Sequence, residues 1–263
     1  MLENLDLGRK LSKKKYKEEM PELQYDLHSL QRALWQARVA TIIVFEGWDV
    51  AGKGTAISKL TQRLEPRGFE LYAIRAPRSY NRHMPWLWRF WKRLPAYGKI
   101  GIFDHSWYGK VLVERVDGLT PAEDLPLIYS NINSFERALA DDRYIIIKFF
   151  LHISKKEQAK RFKKLESDPL TAWQVEAHDW KHHEQYREHL IAAEEMLAQT
   201  ETEWAPWTIV EATDKRWVRV KVFETAIRRL RLGLQTHGYG LPDESGREDS
   251  RLGLEEDDQY LER

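Results

Sequence analysis

Residues 45–55 read FEGWDVAGKGT, and their reading decides the fold. Gly47 to Lys53 fill the first seven positions of the pattern G-x-x-x-x-G-K-[ST]. Upstream, Val39 to Phe45 is β-branched and almost wholly apolar, as a strand buried on both faces of a parallel sheet requires. Downstream, Thr55 to Leu64 has helical amphipathic spacing. Glycines at 47 and 52 let the backbone curl so that its N–H groups point inward, and the helix N-terminus adds positive potential. Lys53 supplies a mobile cation for a phosphoryl oxygen. Such a loop holds phosphate, with Gly47, Gly52, Gly54 and Thr55 as its backbone and hydroxyl candidates.

Working outward, further strands are expected at 70–74, 100–103, 144–153 and 208–210, with helical stretches between them. That alternation predicts an α/β doubly wound fold, a three-layer arrangement around a central parallel sheet. Leu23, Leu27, Leu30 and Leu34 form one stripe of a helix expected from Pro21. Residues 1–20 form a basic N-terminal segment, its first 18 residues lysine-rich and expected to be poorly ordered, ahead of the main domain at 21–236. Within that domain, 154–200 is a long charged insertion broken at Asp168-Pro169, expected to be a helical lid. Residues 237–263 are expected to be a disordered acidic tail.

The 263 residues suit one α/β domain with a sizeable core. With 32% charged residues and no cysteine, disulfides and thiolate chemistry are excluded, and a reducing cytoplasm is the expected setting. No stretch approaches the roughly 18 apolar residues of a membrane span. The net charge of +1 hides an uneven distribution. From His237 onward nine carboxylates face three arginines, a net −6, which leaves +7 on residues 1–236. That surplus favours an anionic ligand. Arg75, Arg78, Arg82, Arg89, Lys92, Arg93, Lys110 and Arg115 cluster after the second and third expected strands and would supply it.

Gly54 stands where a hydroxyl usually helps hold Mg²⁺, so another group must serve a metal. Asp49 lies inside the loop, where bound phosphates would repel it unless a divalent cation lay between. The strand at Ile100 to Phe103 ends in Asp104, beside the first strand's loop in this topology. Asp49 and Asp104 are therefore the candidate ligands for Mg²⁺, with Mn²⁺ as a substitute. Trp86, Trp88, Phe90 and Trp91 have the spacing of core aromatics, so nucleic-acid binding is not expected. His178 and His182 have the i, i+4 spacing of a metal pair, but no H-E-x-x-H pattern accompanies them; with His183 and His189 they read as a solvated or phosphate-contacting lid face.

Four stretches taken together are specific. FEGWDVAGKG, PWLWRFWKRLPAYGKIGIFDHSWYGKVLVERV, KFFLHISKKEQAKRF and WAPWTIVEATDKRWVRVKVF resemble, in order, the polyphosphate kinase 2 family over residues 23–230. The resemblance implies a P-loop kinase-like fold and Mg²⁺-dependent phosphoryl transfer between inorganic polyphosphate and a nucleoside mono- or diphosphate, AMP or ADP with GMP or GDP as further acceptors. It also implies a dimer or tetramer. Asp49 and Lys53 match the family's loop aspartate and lysine, Asp104 matches its strand-end aspartate, and Arg161 matches a lid arginine closing over phosphates. His105 departs from the family, which has arginine there; histidine is shorter and lacks the bidentate fork. Gln174 stands where lysine is more frequent. Arg75, Arg78, His105, Lys110, Glu114 and Arg115 complete the phosphate and nucleotide candidates. Two other readings stay open: an ATP-dependent nucleoside monophosphate kinase, since thymidylate kinases share Phe-Glu-Gly-x-Asp, and a non-catalytic polyphosphate-binding module.

Overall fold

The computed structural model describes residues 1–77 and 79–242; the side chain of Arg82 is outside that description. Arg78 and residues 243–263 of the expected tail therefore lie outside the described residues. Five strands, β1 (Thr41–Gly47), β2 (Phe69–Ala73), β3 (Ile100–Asp104), β4 (Ile145–His152) and β5 (Trp207–Glu211), form one parallel sheet in the order β2-β3-β1-β4-β5. The helices are α1 (Lys13–Ala37), α2 (Lys53–Thr61), α3 (Trp88–Trp91), α4 (Val113–Val116), α5 (Leu125–Asp141), α6 (Lys155–Glu166), α7 (Ala177–Glu184), α8 (Tyr186–Thr200) and α9 (Lys215–Thr236). All five expected strands are present and the fold is the expected three-layer α/β one.

Burial follows the sequence pattern. Ile42 to Phe45 of β1 are fully covered, because β1 is the central strand and helices lie on both faces of the sheet. On one side α2 and α9 pack on the strands and α1 lies along α9. On the other α5 meets β4 and α8 lies against α5. Edge strand β2 is only partly covered, consistent with its single neighbour.

Two boundaries differ from expectation. Helix α1 starts at Lys13, where the Ser12 hydroxyl accepts from the Lys15 N–H at 3.2 Å, and runs through Pro21. Leu2, Leu11, Tyr16 and Met20 are buried, so the lysine-rich start is docked on the body rather than loose. The expected lid also divides. In α8, Leu190, Ala192, Ala193, Met196 and Leu197 join the main core, whereas α6 and α7 contribute nothing to it.

A buried polar knot ties these layers. Lys148 on β4 is fully enclosed and donates to Glu136 Oε2 at 2.9 Å, the Tyr108 hydroxyl at 2.8 Å and the Thr200 carbonyl at 2.9 Å. Glu136 Oε1 accepts from Trp107 Nε1 at 3.0 Å and from the Tyr108 hydroxyl. All three ammonium protons find oxygen, which is what makes a charge tolerable at such depth. The knot fixes the segment after β3, and with it one wall of the site.

Candidate active site

The site forms where β1 and β3 end side by side, with Phe45 opposite Asp104 in the register. Gly47 adopts φ 130°, and a Cβ there would lie 2.2 Å from the Leu151 carbonyl oxygen, so only glycine lets β1 turn into the loop against β4. Gly52 adopts φ 101° and begins α2. Added Cβ atoms at Gly52 and Gly54 would meet nothing within 4 Å, so the loop's mouth is open. Thr55 is exposed on the first turn of α2 beside Gly54. Lys53 folds back, its Nζ donating at 3.0 Å to both the Gly47 and Trp48 carbonyls.

Trp48 anchors the loop from behind. Its indole stacks on Tyr186 at 4.0 Å between centroids, and its Nε1 donates to His152 Nδ1 at 2.7 Å. Accepting at Nδ1 requires the neutral tautomer, and burial pushes His152 down to about 4, with Glu194 opposing weakly. His189, half-buried against this cluster, is pushed down to about 4 by desolvation and by His182.

Asp49 faces a cleft of about 700 Å³. Burial works to raise its pKa, but His182, whose Nδ1 stands 3.7 Å from Oδ2, and the charges of Lys53 and His105 outweigh it and hold the carboxyl well below the usual range. Asp104 Oδ1 is buried and has no hydrogen-bond partner. A carboxylate oxygen left in that state at the edge of a phosphate loop fits a hard divalent cation, since Mg²⁺ takes oxygen ligands and often only one or two carboxylates. The donor set is thus compatible with Mg²⁺ and poorly suited to a softer ion.

The cleft wall carries Arg75, Arg89, His105, Lys110 and Glu114, with Met84 and Trp86 supplying apolar surface. Lys110 pairs with Glu114 at 2.7 Å. His105 sits at φ 60°, and its Nδ1 lies 3.3 Å from Oε2 of the buried Glu46, whose Oε1 accepts from Ser106 at 2.7 Å. Of the four aromatics expected to be core, only Phe90 is buried: Trp91 is 48% exposed and edge-on to Phe135, Trp88 lies under Lys92, and Trp86 lines the cleft.

Two expected residues are elsewhere. Arg115 turns from the cleft to Glu195 at 2.8 Å and the Tyr129 hydroxyl at 3.3 Å, because α4 lies against α8. Arg161 does not line the cleft either. Its fork donates to the Val50, Ala51, Ala212 and Thr213 carbonyls at 2.7–3.0 Å and to Glu157 at 2.9 Å, engaging all five N–H groups. It clamps the back of the loop to the segment after β5.

Sequence reading missed Asp117. It ends α4, and only the fold brings it to α7, where His182 Nε2 stands 3.4 Å and His178 Nε2 3.7 Å from its oxygens. Burial opposes its ionisation, but His182 and Lys181 outweigh that and lower its pKa. His182, only 6% exposed, is correspondingly raised despite burial, by Asp49 and Asp117. The i, i+4 spacing of the histidines is visible in the sequence but reads there as a solvated or phosphate-contacting face, whereas His182 is buried; the carboxylate partner carries no signal at all.

A parallel sheet whose central strand feeds a glycine loop and a lysine-headed helix, with a carboxylate at the neighbouring strand end, defines a P-loop kinase-like protein. The family profile described as Polyphosphate kinase 2 (PPK2) matches residues 10–237, and the chain belongs to that family. A Polyphosphate:AMP phosphotransferase of Pseudomonas aeruginosa is 42% identical over 225 residues, covering 86% of this chain and 45% of that protein. The chain thus spans under half the length of that relative. An ADP-polyphosphate phosphotransferase 3 of Rhizobium meliloti is 34% identical, covering 78% of this chain and 72% of the relative. The crystal structure of Polyphosphate Kinase 2 from Arthrobacter aurescens TC1 matches with a TM-score of 0.86 at 29% identity, covering 96% of this chain and 93% of that one.

Proposed function

We propose that this chain transfers a phosphoryl group between inorganic polyphosphate and a nucleoside mono- or diphosphate, with AMP and ADP the leading acceptors and GMP or GDP next. The observation that carries the reading is the large cleft that opens at the phosphate loop and is walled by Arg75, Arg89 and Lys110. A polyanion with about one charge per phosphate needs such a lined channel, whereas a compact nucleotide needs fewer cations. The names of the relatives point the same way.

The attacking group is a terminal phosphate oxygen of the nucleotide, anionic at neutral pH, so no general base is required. Asp49 and Asp104 would hold Mg²⁺, or Mn²⁺ in its place, which when bound neutralises charge on the transferring group. Lys53 and the backbone of the loop between Gly47 and Thr55 grip the same phosphate, and Arg75, Lys110 and His105 align the rest of the chain. Glu114 keeps Lys110 extended along the wall. Trp86 and Met84 give a base an apolar surface. Helix α7 forms the movable cover, while Arg161 fixes α6 to the loop and holds the loop's shape. The working protein is a cytoplasmic dimer or tetramer that binds no nucleic acid; among the described residues no helix is long and apolar enough to cross a membrane.

The test is one preparation given Mg²⁺, polyphosphate and, in parallel, AMP, ADP or GDP. Formation of the next higher phosphate is the expected result. Turnover from ATP and a monophosphate with none from polyphosphate would make it a nucleoside monophosphate kinase; polyphosphate binding without turnover in any mixture would make it a binding module.

A further inference from the structure

Asp117, His178 and His182 present one ligand atom each within 4.8 Å of one another, on two different elements, and the phosphoryl-transfer reading uses none of them as metal ligands. We propose that they form a second metal site, selective for Zn²⁺ or a similar first-row ion, that pins α7 to the end of α4. Two imidazole nitrogens and one carboxylate oxygen match the preferences of Zn²⁺, whereas Mg²⁺ favours oxygen alone. In a tetrahedral zinc site with bonds of about 2.1 Å, neighbouring ligand atoms stand roughly 3.4 Å apart. His182 Nε2 stands 3.4 Å from Asp117 Oδ1 and His178 Nε2 3.7 Å from Oδ2, and with one atom from each residue the three lie within 4.8 Å of one another, so a modest contraction closes the site.

The surroundings fit as well. His182 turns its other nitrogen, Nδ1, toward Asp49, whose Oδ2 stands 3.7 Å away; a small approach on metal binding would complete the carboxylate–histidine arrangement that fixes the tautomer for coordination at Nε2. His182 is buried and Asp117 largely so, while His178 is exposed and closes the site from the rim. Lys181 Nζ stands 3.4 Å from Asp117 Oδ1 and competes with a cation, but its side chain is 58% exposed and can swing into water. Asp179 is not a fourth ligand here, since its carboxylate caps the Glu176 N–H at 2.8 Å. The remaining coordination position faces the cleft, open to water or a phosphate oxygen. A metal there bridges body and lid, and through His182 it also restrains Asp49. On the functional reading above it would hold the cleft shut and slow turnover.

The experiment uses tag-free, metal-stripped full chain without nucleotide or polyphosphate. Titration with Zn²⁺ by calorimetry, and with Co²⁺ by visible absorption, should show one tight equivalent, an intense tetrahedral Co²⁺ band, and no displacement by a large excess of Mg²⁺. D117N and H178A should each weaken binding by about 100-fold or more and abolish the band. Unaltered affinity in both variants, or an absence of tight binding to the wild type, overturns the site. Because these readouts need no catalysis, they stand even if polyphosphate transfer fails. Where transfer is seen, Zn²⁺ should inhibit the wild type at concentrations that leave H178A unaffected; equal inhibition of both would remove the regulatory role while leaving the site.

Discussion

The two walls of the cleft are built differently. The floor, where β1 and β3 end, rests on residues with no exposed surface: Ile42 to Phe45, Ile102 and Phe103. Its loop is held by Gly47 against β4, by Trp48 on Tyr186 and by the Arg161 fork. Opposite, α6 and α7 bury only Gln158, Phe162 and His182 between them. Phe162 stands outside the continuous core, against Trp180 and His183. Helix α6 is nonetheless clamped to that floor by its own Arg161, whereas α7 is attached by the His182 bridge and by Lys181 and His178 to Asp117, with Gln158 of α6 reaching the Asp49 carbonyl. A packed floor, with α6 clamped to it by Arg161, holds charge in place before a ligand arrives, while α7, tied by a few ion pairs, opens at less energetic cost.

The sharpest break of this contrast is chemical. Asp104→Asn keeps the shape of the strand end but removes the charge that a divalent cation needs. Turnover should fall about 1,000-fold, roughly 4 kcal/mol of transition-state stabilisation, in an initial-rate assay at saturating Mg²⁺. Thermal unfolding should be unchanged or slightly improved, because the orphaned Oδ1 is no asset to the metal-free fold. A rate within a few fold of wild type would remove Asp104 from the mechanism.

Next comes a structural break on the same floor. Gly47→Ala places a methyl group against the Leu151 backbone in a conformation L-residues avoid, and should cost about 3 kcal/mol in urea unfolding. Gly54→Ala, with open space at its Cβ and a helical position, should be neutral or mildly stabilising. Equal losses at the two glycines would mean the loop's shape is not set by β4.

This floor was legible in the sequence because its signals are local. The apolar run into β1, the glycine spacing and the strand ending in Asp104 each sit within a few residues, and each element lies where its pattern put it. What local signals could not give was set by tertiary packing. The basic cluster points to Arg115 and the family resemblance to Arg161, but a guanidinium takes whatever oxygens the fold brings near, here Glu195 and four backbone carbonyls. Asp117 carried no pattern, because its partners come from α7, far along the chain. The charged run 154–200 looked uniform, although α8 carries a buried apolar face and its neighbours do not.

A gentler probe of the floor is pH. His152 is neutral in the folded protein with its pKa pushed down to about 4, below the unfolded value of 6.5. Between those values the unfolded chain binds more protons, so stability is full at neutral pH and declines as pH falls through the unfolded value, levelling off below about 4. From about pH 7 to pH 5 the loss from this one group should be about 2 kcal/mol, read as a falling urea midpoint. His152→Asn should flatten that part of the profile; an unchanged slope would show that other groups dominate it.

The smallest effect on stability belongs to the cover. Trp173 is 75% exposed, and its one hydrogen bond, Nε1 to the Leu170 carbonyl at 2.8 Å, stays within a turn whose Leu170 is itself 82% exposed. Truncating so large a side chain in the core would cost about 3–5 kcal/mol, but here there is no cavity to leave and almost no buried area to lose. Trp173→Ala should therefore shift unfolding by less than about 0.5 kcal/mol. If α7 and the turn carrying Trp173 close over the ligand, the same substitution should still slow turnover, because the indole would gain a partner in the closed state. A stability loss above about 1 kcal/mol would mean that this segment is packed into the body like α8, and the two walls would then differ in composition but not in mechanical role.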